Sequence, residues 1–213
     1  MMRATAAAWL AVTLAACTTV PGPPILIAER PITEDWRAVA SAEDFDRAQR
    51  LADAWQRGLD AARAQGQERT ISSLGPLLDP AAVLPRAAPP PGPYRCRVVR
   101  LDSRPRRRAL SVFPVHFCHV GVEGELLILA KTTGAERPGG FLYPDSDARL
   151  VFLGATAIGD EPVPPAYGQF RNRDLIGIAE RIAPLHYRVA LPWPRNGAIL
   201  DLLELVPYPP SID

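Results

Sequence analysis

Two regimes of hydrophobic patterning divide the chain. Between residues 41 and 66 the apolar positions Phe45, Ala48, Ala52, Trp55, Leu59 and Ala62 fall at alternating spacings of three and four. That is one apolar stripe on a helix ending near Gly66. Ser41 caps its start, and Asp44 at the third position can reach back as a weak capping box. Thr33-Glu34-Asp35-Trp36 opens a shorter helix, with a hydroxyl cap and acids in its first turn. From Tyr94 onward the pattern changes to short apolar runs separated by turn residues. Strands are expected at 94–101, 110–118, 125–132, 140–143, 149–156, 174–182, 186–191 and 199–206. The breaks are Asp102-Ser103-Arg104-Pro105, residues 121–124, Pro138-Gly139-Gly140, Pro144-Asp145-Ser146-Asp147 and Arg195-Asn196-Gly197.

Eight short strands preceded by helices make the chain mainly β with an N-terminal α segment. A small, closed or nearly closed antiparallel barrel is expected, because closure removes exposed edges; a two-sheet sandwich is the alternative. Five prolines between Pro85 and Pro93 exclude helix or sheet interior there and mark a connector. The organisation is then a leader over 1–16, a tether over 17–32, helices over 33–66, a Pro-rich connector over 67–93, the β domain over 94–207 and a tail over 208–213. Alternation places Cys96 inward with Tyr94 and Val98. On the next strand Phe113, Val115 and Phe117 are expected inward, which turns Cys118 outward unless a bulge near Pro114 reverses the later half.

The N-terminus adds location. Arg3, an apolar run to Ala16 and then Cys17 read as a secretion signal, since about 20 apolar residues are needed to span a bilayer. Leu14-Ala15-Ala16-Cys17 resembles the lipobox of bacterial lipoproteins, which implies acylation of Cys17 and cleavage before it. Stable anchoring takes more than one acyl chain. The Thr18-Thr19 pair lacks the Asp that this resemblance associates with inner-membrane retention, so the outer membrane, on its periplasmic face, is the expected location. An ordinary signal peptide that releases a soluble protein is the other reading.

Composition then narrows the partners. Of 213 residues, 47% are hydrophobic, enough for a core. Removing residues 1–16 takes away Arg3, so 24 Lys+Arg become 23, against 23 Asp+Glu. No basic excess points to nucleic acid. Beyond Cys17 only Cys96 and Cys118 remain, an even number that reads as one disulfide in an oxidising compartment, with two free buried thiols as the alternative.

The motifs Leu77-Leu78-Asp79-Pro80, Tyr94-Arg95-Cys96-Arg97, Leu142-Tyr143-Pro144-Asp145 and Val151-Phe152-Leu153-Gly154 resemble the bacterial envelope family called domain of unknown function 4893. So do Gly159-Asp160-Glu161, Tyr167-Gly168, Arg173-Asp174, Glu180-Arg181-Ile182 and Leu203-Glu204-Leu205-Val206-Pro207. The resemblance implies no activity and carries over no site residues. His186-Tyr187-Arg188 and the two histidines beside Cys118 depart from its pattern.

Chemistry-bearing clusters are sparse. His116-Phe117-Cys118-His119 splits its ligands between two strand faces, so no metal site is expected. Asp145-Ser146-Asp147 lacks the continuation of a calcium loop and reads as a hairpin turn using Asp for local backbone bonds. Arg104, Arg106, Arg107 and Arg108 form a basic turn: a solvated loop, or a surface for anionic headgroups. No cofactor fingerprint or nucleophile elbow is present. A non-enzymatic binding or structural module follows, its partner a small ligand or an envelope protein taken at the barrel mouth or on the arginine face. The alternative is a hydrolase of an envelope component using Asp160, Glu161 and His186.

Overall fold

The structure, a computed structural model, describes residues 33–208. The leader, Cys17, the tether and residues 209–213 of the tail lie outside the described residues. Four helices come first: α1 (Trp36–Val39), α2 (Ala42–Gln49), α3 (Leu51–Ala64) and α4 (Glu68–Leu74), then a 3-10 turn at Gly75–Leu78. Nine strands follow: β1 (Gly92–Leu101), β2 (Leu110–Val112), β3 (His116–Glu123), β4 (Leu126–Lys131), β5 (Glu136–Ser146), β6 (Arg149–Ile158), β7 (Asp174–Ala183), β8 (His186–Pro192) and β9 (Leu200–Pro207).

All strand pairs are antiparallel; β1 pairs with β3, each strand from β3 to β9 pairs with the next, and β9 returns to pair with β1 from Tyr94↔Pro207 to Leu101↔Leu200. Eight strands thus close a barrel. β2 is the extra strand, pairing with the second half of β1 while β3 pairs with the first. The expected 110–118 strand is therefore two strands, broken at Phe113-Pro114-Val115 because Pro114 cannot donate to a ladder. The break also settles the faces. Cys118 points inward beside Cys96, whereas Phe113, Val115 and Phe117 are 40%, 57% and 47% exposed. Cys96 and Cys118 form a disulfide with 5.8 Å between Cα atoms.

Because paired residues share a face, the register assigns the two sides of the sheet. Tyr94, Cys96, Val120, Leu129, Leu142, Phe152, Ala179, Val189 and Leu205 fill the interior. The other face carries Val99, Leu101, Ile176, Ile178, Ala190 and Leu202, and packs against Trp36, Leu51, Trp55, Leu59 and Leu77. Helix α3 lies on β1, β8 and β9, so closely that a Cβ at Gly58 would sit 2.8 Å from Leu101.

The expected single helix over 41–66 breaks at Arg50, whose φ −88 and ψ 17 leave the helical region. Its stripe changes accordingly: Ala52 is exposed, and α2 buries Asp44 and Arg47. Ser41 does cap α2 through its side chain. The Asp44 carboxylate instead accepts from Arg47 (2.9 Å) and from the Tyr167 hydroxyl, so the reciprocal half of the capping box is absent.

A buried cation fastens the helices to the barrel. Arg188, wholly buried, donates to Glu180 (2.7 and 2.9 Å) and to the carbonyls of Pro76 (3.0 Å) and Asp79 (2.7 Å), and stacks on Trp55. At α1, Trp36 Nε1 and Arg37 donate to Asp145 (3.0 and 2.9 Å). The expected local use of Asp145 is thus replaced by a tertiary one. Pro138-Gly139-Gly140 is not a turn but part of β5. Gly140 faces Gly154, and a Cβ there would meet the Leu153 carbonyl at 2.2 Å. These glycines permit two backbones to approach.

Two stability outcomes follow. Glu180→Ala strands the buried guanidinium of Arg188 and should cost about 3–5 kcal/mol in urea unfolding; a loss under about 1 kcal/mol would show the pair is not a fastening. Reducing the disulfide, with a sequence separation of 22, should cost about 3 kcal/mol by loop entropy. An unchanged midpoint under reductant would argue against that cross-link.

Candidate functional site: the open mouth of the barrel

The two ends of the barrel differ. At one end the connections are tight, at 124–125, 147–148 and 184–185. Leu84 donates to Arg181 (2.8 Å) and Ala87 to Asp147 (3.0 Å), so the Pro-rich connector crosses this end. Tyr94 donates to the Pro90 carbonyl (2.7 Å) and meets Tyr187 edge-on beneath it. At the other end lie the longer loops at 102–109, 132–135, 159–173 and 193–199, together with the Phe113-Pro114-Val115 break. Loops on a rigid scaffold are where binding residues gather.

That open end holds a cavity of about 280 Å³, close to the lower end of ligand pockets, about 300–1,000 Å³. Its floor continues the interior face: Val98, Leu175, Leu191 and Leu203. Its walls carry Phe113, Pro138 and Ile158, and its rim carries Arg100, Lys131, Arg173, Arg195, Glu136 and Asp201. Most rim cations already hold carboxylates. Arg100 donates to both oxygens of Asp201 (2.7 Å each) and lies over Phe113. Arg173 donates to both oxygens of Glu161 (2.6 and 2.9 Å), and Arg195 to Glu43 (2.8 Å). The Arg173 hydrogen bond, with that from the Ile158 backbone, holds Glu161 below the usual carboxylate range.

Lys131 is the exception. The residue is 8% exposed, and its ammonium donates to the Glu136 carbonyl (2.9 Å) and has no carboxylate within 4 Å among the described residues. Burial lowers its pKa, against the opposing pull of Glu136. His116, on the same wall, is held below its ordinary 6.5 by burial and then by the Lys131 charge.

The residues singled out from sequence fall in several places. Asp102 sits beside the mouth and takes Arg104 (2.9 Å), which also reaches the Asn196 carbonyl (2.8 Å). Arg106, Arg107 and Arg108 are exposed, with no carboxylate within 4 Å among the described residues, so the basic turn divides into one paired and three solvent-facing arginines. His119 lies on the outer face while His116 and Cys118 lie inside, and among the described residues no three His, Cys, Asp or Glu converge. Asp160 and Glu161 follow β6 at the mouth, whereas His186 begins β8 at the covered end and bonds Glu204 (2.8 Å). The three groups a hydrolase would use are therefore not brought together. Lys131 and Arg100 escaped sequence reading; the signal was a lone lysine ending an apolar strand among 23 arginines.

A pH effect follows from the histidines. Burial lowers both His116 and His119 in the fold, so the unfolded chain binds protons first as pH falls through about 6.5. Unfolding free energy should decline from pH 7 to pH 5, and H116Q/H119Q should flatten that decline. An identical slope in the double variant would exclude these residues as its source.

Among the described residues no helix is long and apolar enough to cross a membrane. No curated protein and no solved structure matches the chain. A family model described as domain of unknown function (DUF4893) matches residues 36–205, which take in the helices and the barrel except the last strand's end, and the chain belongs to that family.

Proposed function

We propose that this chain is an envelope lipoprotein whose barrel is a non-enzymatic module for binding a small, largely apolar ligand. The observation that carries the reading is the cavity at the open end, floored by Val98, Leu175, Leu191 and Leu203 and ringed by charge. An eight-stranded barrel packed solid along its whole length would have no such space; here one half is filled and covered, and the other is not. The charged groups at the mouth are occupied with one another in a way that suits holding a rim open, and catalytic convergence is lacking between the acids and His186. The anchoring part rests on Leu14-Ala15-Ala16-Cys17, which would put the barrel at the periplasmic face of the outer membrane.

Binding is tested with N-phenyl-1-naphthylamine, an uncharged apolar fluorophore. Saturable binding of one dye per chain is expected, abolished by Leu203→Trp, which fills the floor. A linear, unsaturable response, or one unaffected by Leu203→Trp, would contradict the reading. Anchoring is tested by detergent phase partitioning: the wild type should enter the detergent phase and Cys17→Ser the aqueous phase. Wild-type protein already in the aqueous phase would remove the anchor from the account.

A further inference from the structure

Every arginine on the rim uses its fork on a carboxylate, and one cation is left over. Lys131 ends β4 on the interior face, paired across the ladder with Cys118. It is more than nine-tenths buried, and it spends one of its three donors on a main-chain carbonyl. Nothing negative lies within 4 Å of it among the described residues, although burying an uncompensated charge is costly. The adjoining turn packs closely against the Lys131 and His116 side chains, so that only glycine fits beside them. Gly134 has φ +94, and a Cβ there would stand 2.8 Å from the His116 ring and 3.1 Å from Lys131 Nζ.

We propose that the mouth takes a monoanionic amphiphile, a carboxylate on an apolar chain, with the carboxylate seated on Lys131 and the chain directed to Leu175, Leu191 and Leu203. This rests on the ligand-binding reading above and deepens it. Of the cations that line the cavity, Lys131 alone has no carboxylate within 4 Å among the described residues, and Glu136, also without an ion pair there, pulls on it only from farther off, so at most one added negative charge is accommodated. A phosphate monoester brings close to two negative charges at neutral pH, more than one ammonium balances, and the guanidinium groups of Arg100 and Arg173 are already engaged. A lysine offers a compact point charge that matches a single carboxylate. The apolar floor and the cation lie on the same interior face, so one short-chain molecule can satisfy both.

The test is calorimetric titration of the full chain, carrying Cys17→Ser so that no acyl group is attached, with octanoate, 1-octanol and octylamine. In an uncharged cavity octanol outbinds octanoate, because a carboxylate loses its hydration on entry. The expected order is reversed here: octanoate binds at least about tenfold tighter than octanol, a difference of about 1.4 kcal/mol, and octylamine binds weakest. Lys131→Met should abolish the octanoate preference while leaving octanol affinity unchanged, and Lys131→Arg should retain it. Octanol binding as tightly as octanoate, or Lys131→Met keeping the preference, overturns the anion site and leaves the apolar site standing. If none of the three probes binds, the binding reading falls and this inference with it. Should Lys131→Met fail to fold, the wild-type order of the three probes decides alone.

Discussion

Closure between β1 and β9 is the constraint from which the rest of the molecule follows. Their register, from Tyr94↔Pro207 to Leu101↔Leu200, turns a meander into a barrel and removes the free edges that an open sheet would expose. Closure also gives the two faces separate tasks. The inward positions share one interior, while the outward positions of β1 and of β7 to β9 form a surface onto which amphipathic helices dock. A two-sheet sandwich would have needed two interior faces from different sheets; here each strand is hydrogen-bonded to its neighbours around one ring.

Once the barrel is closed, its two ends need not be alike, and the sequence makes them different. The connector between the helices and β1 is tied to Arg181 and Asp147, so it lies across one end, where Tyr94 and Tyr187 meet. Among the described residues, nothing crosses the end carrying the longer loops. Its rim places Arg100 against Asp201 and Arg173 against Glu161, pairs that hold polar groups at a wall whose floor is apolar. The docked helices reinforce this rim from outside: Glu43 of α2 receives Arg195, and Asp44 is reached by Tyr167 from the loop before β7.

Much of this architecture was legible in the sequence, for identifiable reasons. Short apolar runs between turn residues marked six strands to within about two residues at each end, while β5 was expected only over 140–143, and the loss of period 3.6 marked where the helices give way to the barrel. Two of the failures share a cause, a partner distant in sequence, and the third is local to Pro114. Pro138-Gly139-Gly140 carries turn chemistry locally but serves a close approach to Gly154. Asp145 looks like a turn former yet holds Trp36, over a hundred residues away. Phe113, Val115 and Phe117 alternate as an inward face, but the break at Pro114 reverses the parity and puts Cys118 inside. The candidate site was the least legible part, because it is assembled from β1 and from β3 to β9, with no two of its rim charges forming a motif.

The central claim is that the barrel interior is accessible from one end only and receives an apolar molecule there. Methyl-resolved NMR of the full chain with 1-octanol tests it directly. Intermolecular NOEs are predicted to the methyl groups of Val98, Leu175, Leu191 and Leu203 and not to Val120 or Leu205, which lie toward the covered end. NOEs confined to the exposed side chains Val112, Val115 or Leu185, with none to the cavity floor, would contradict it.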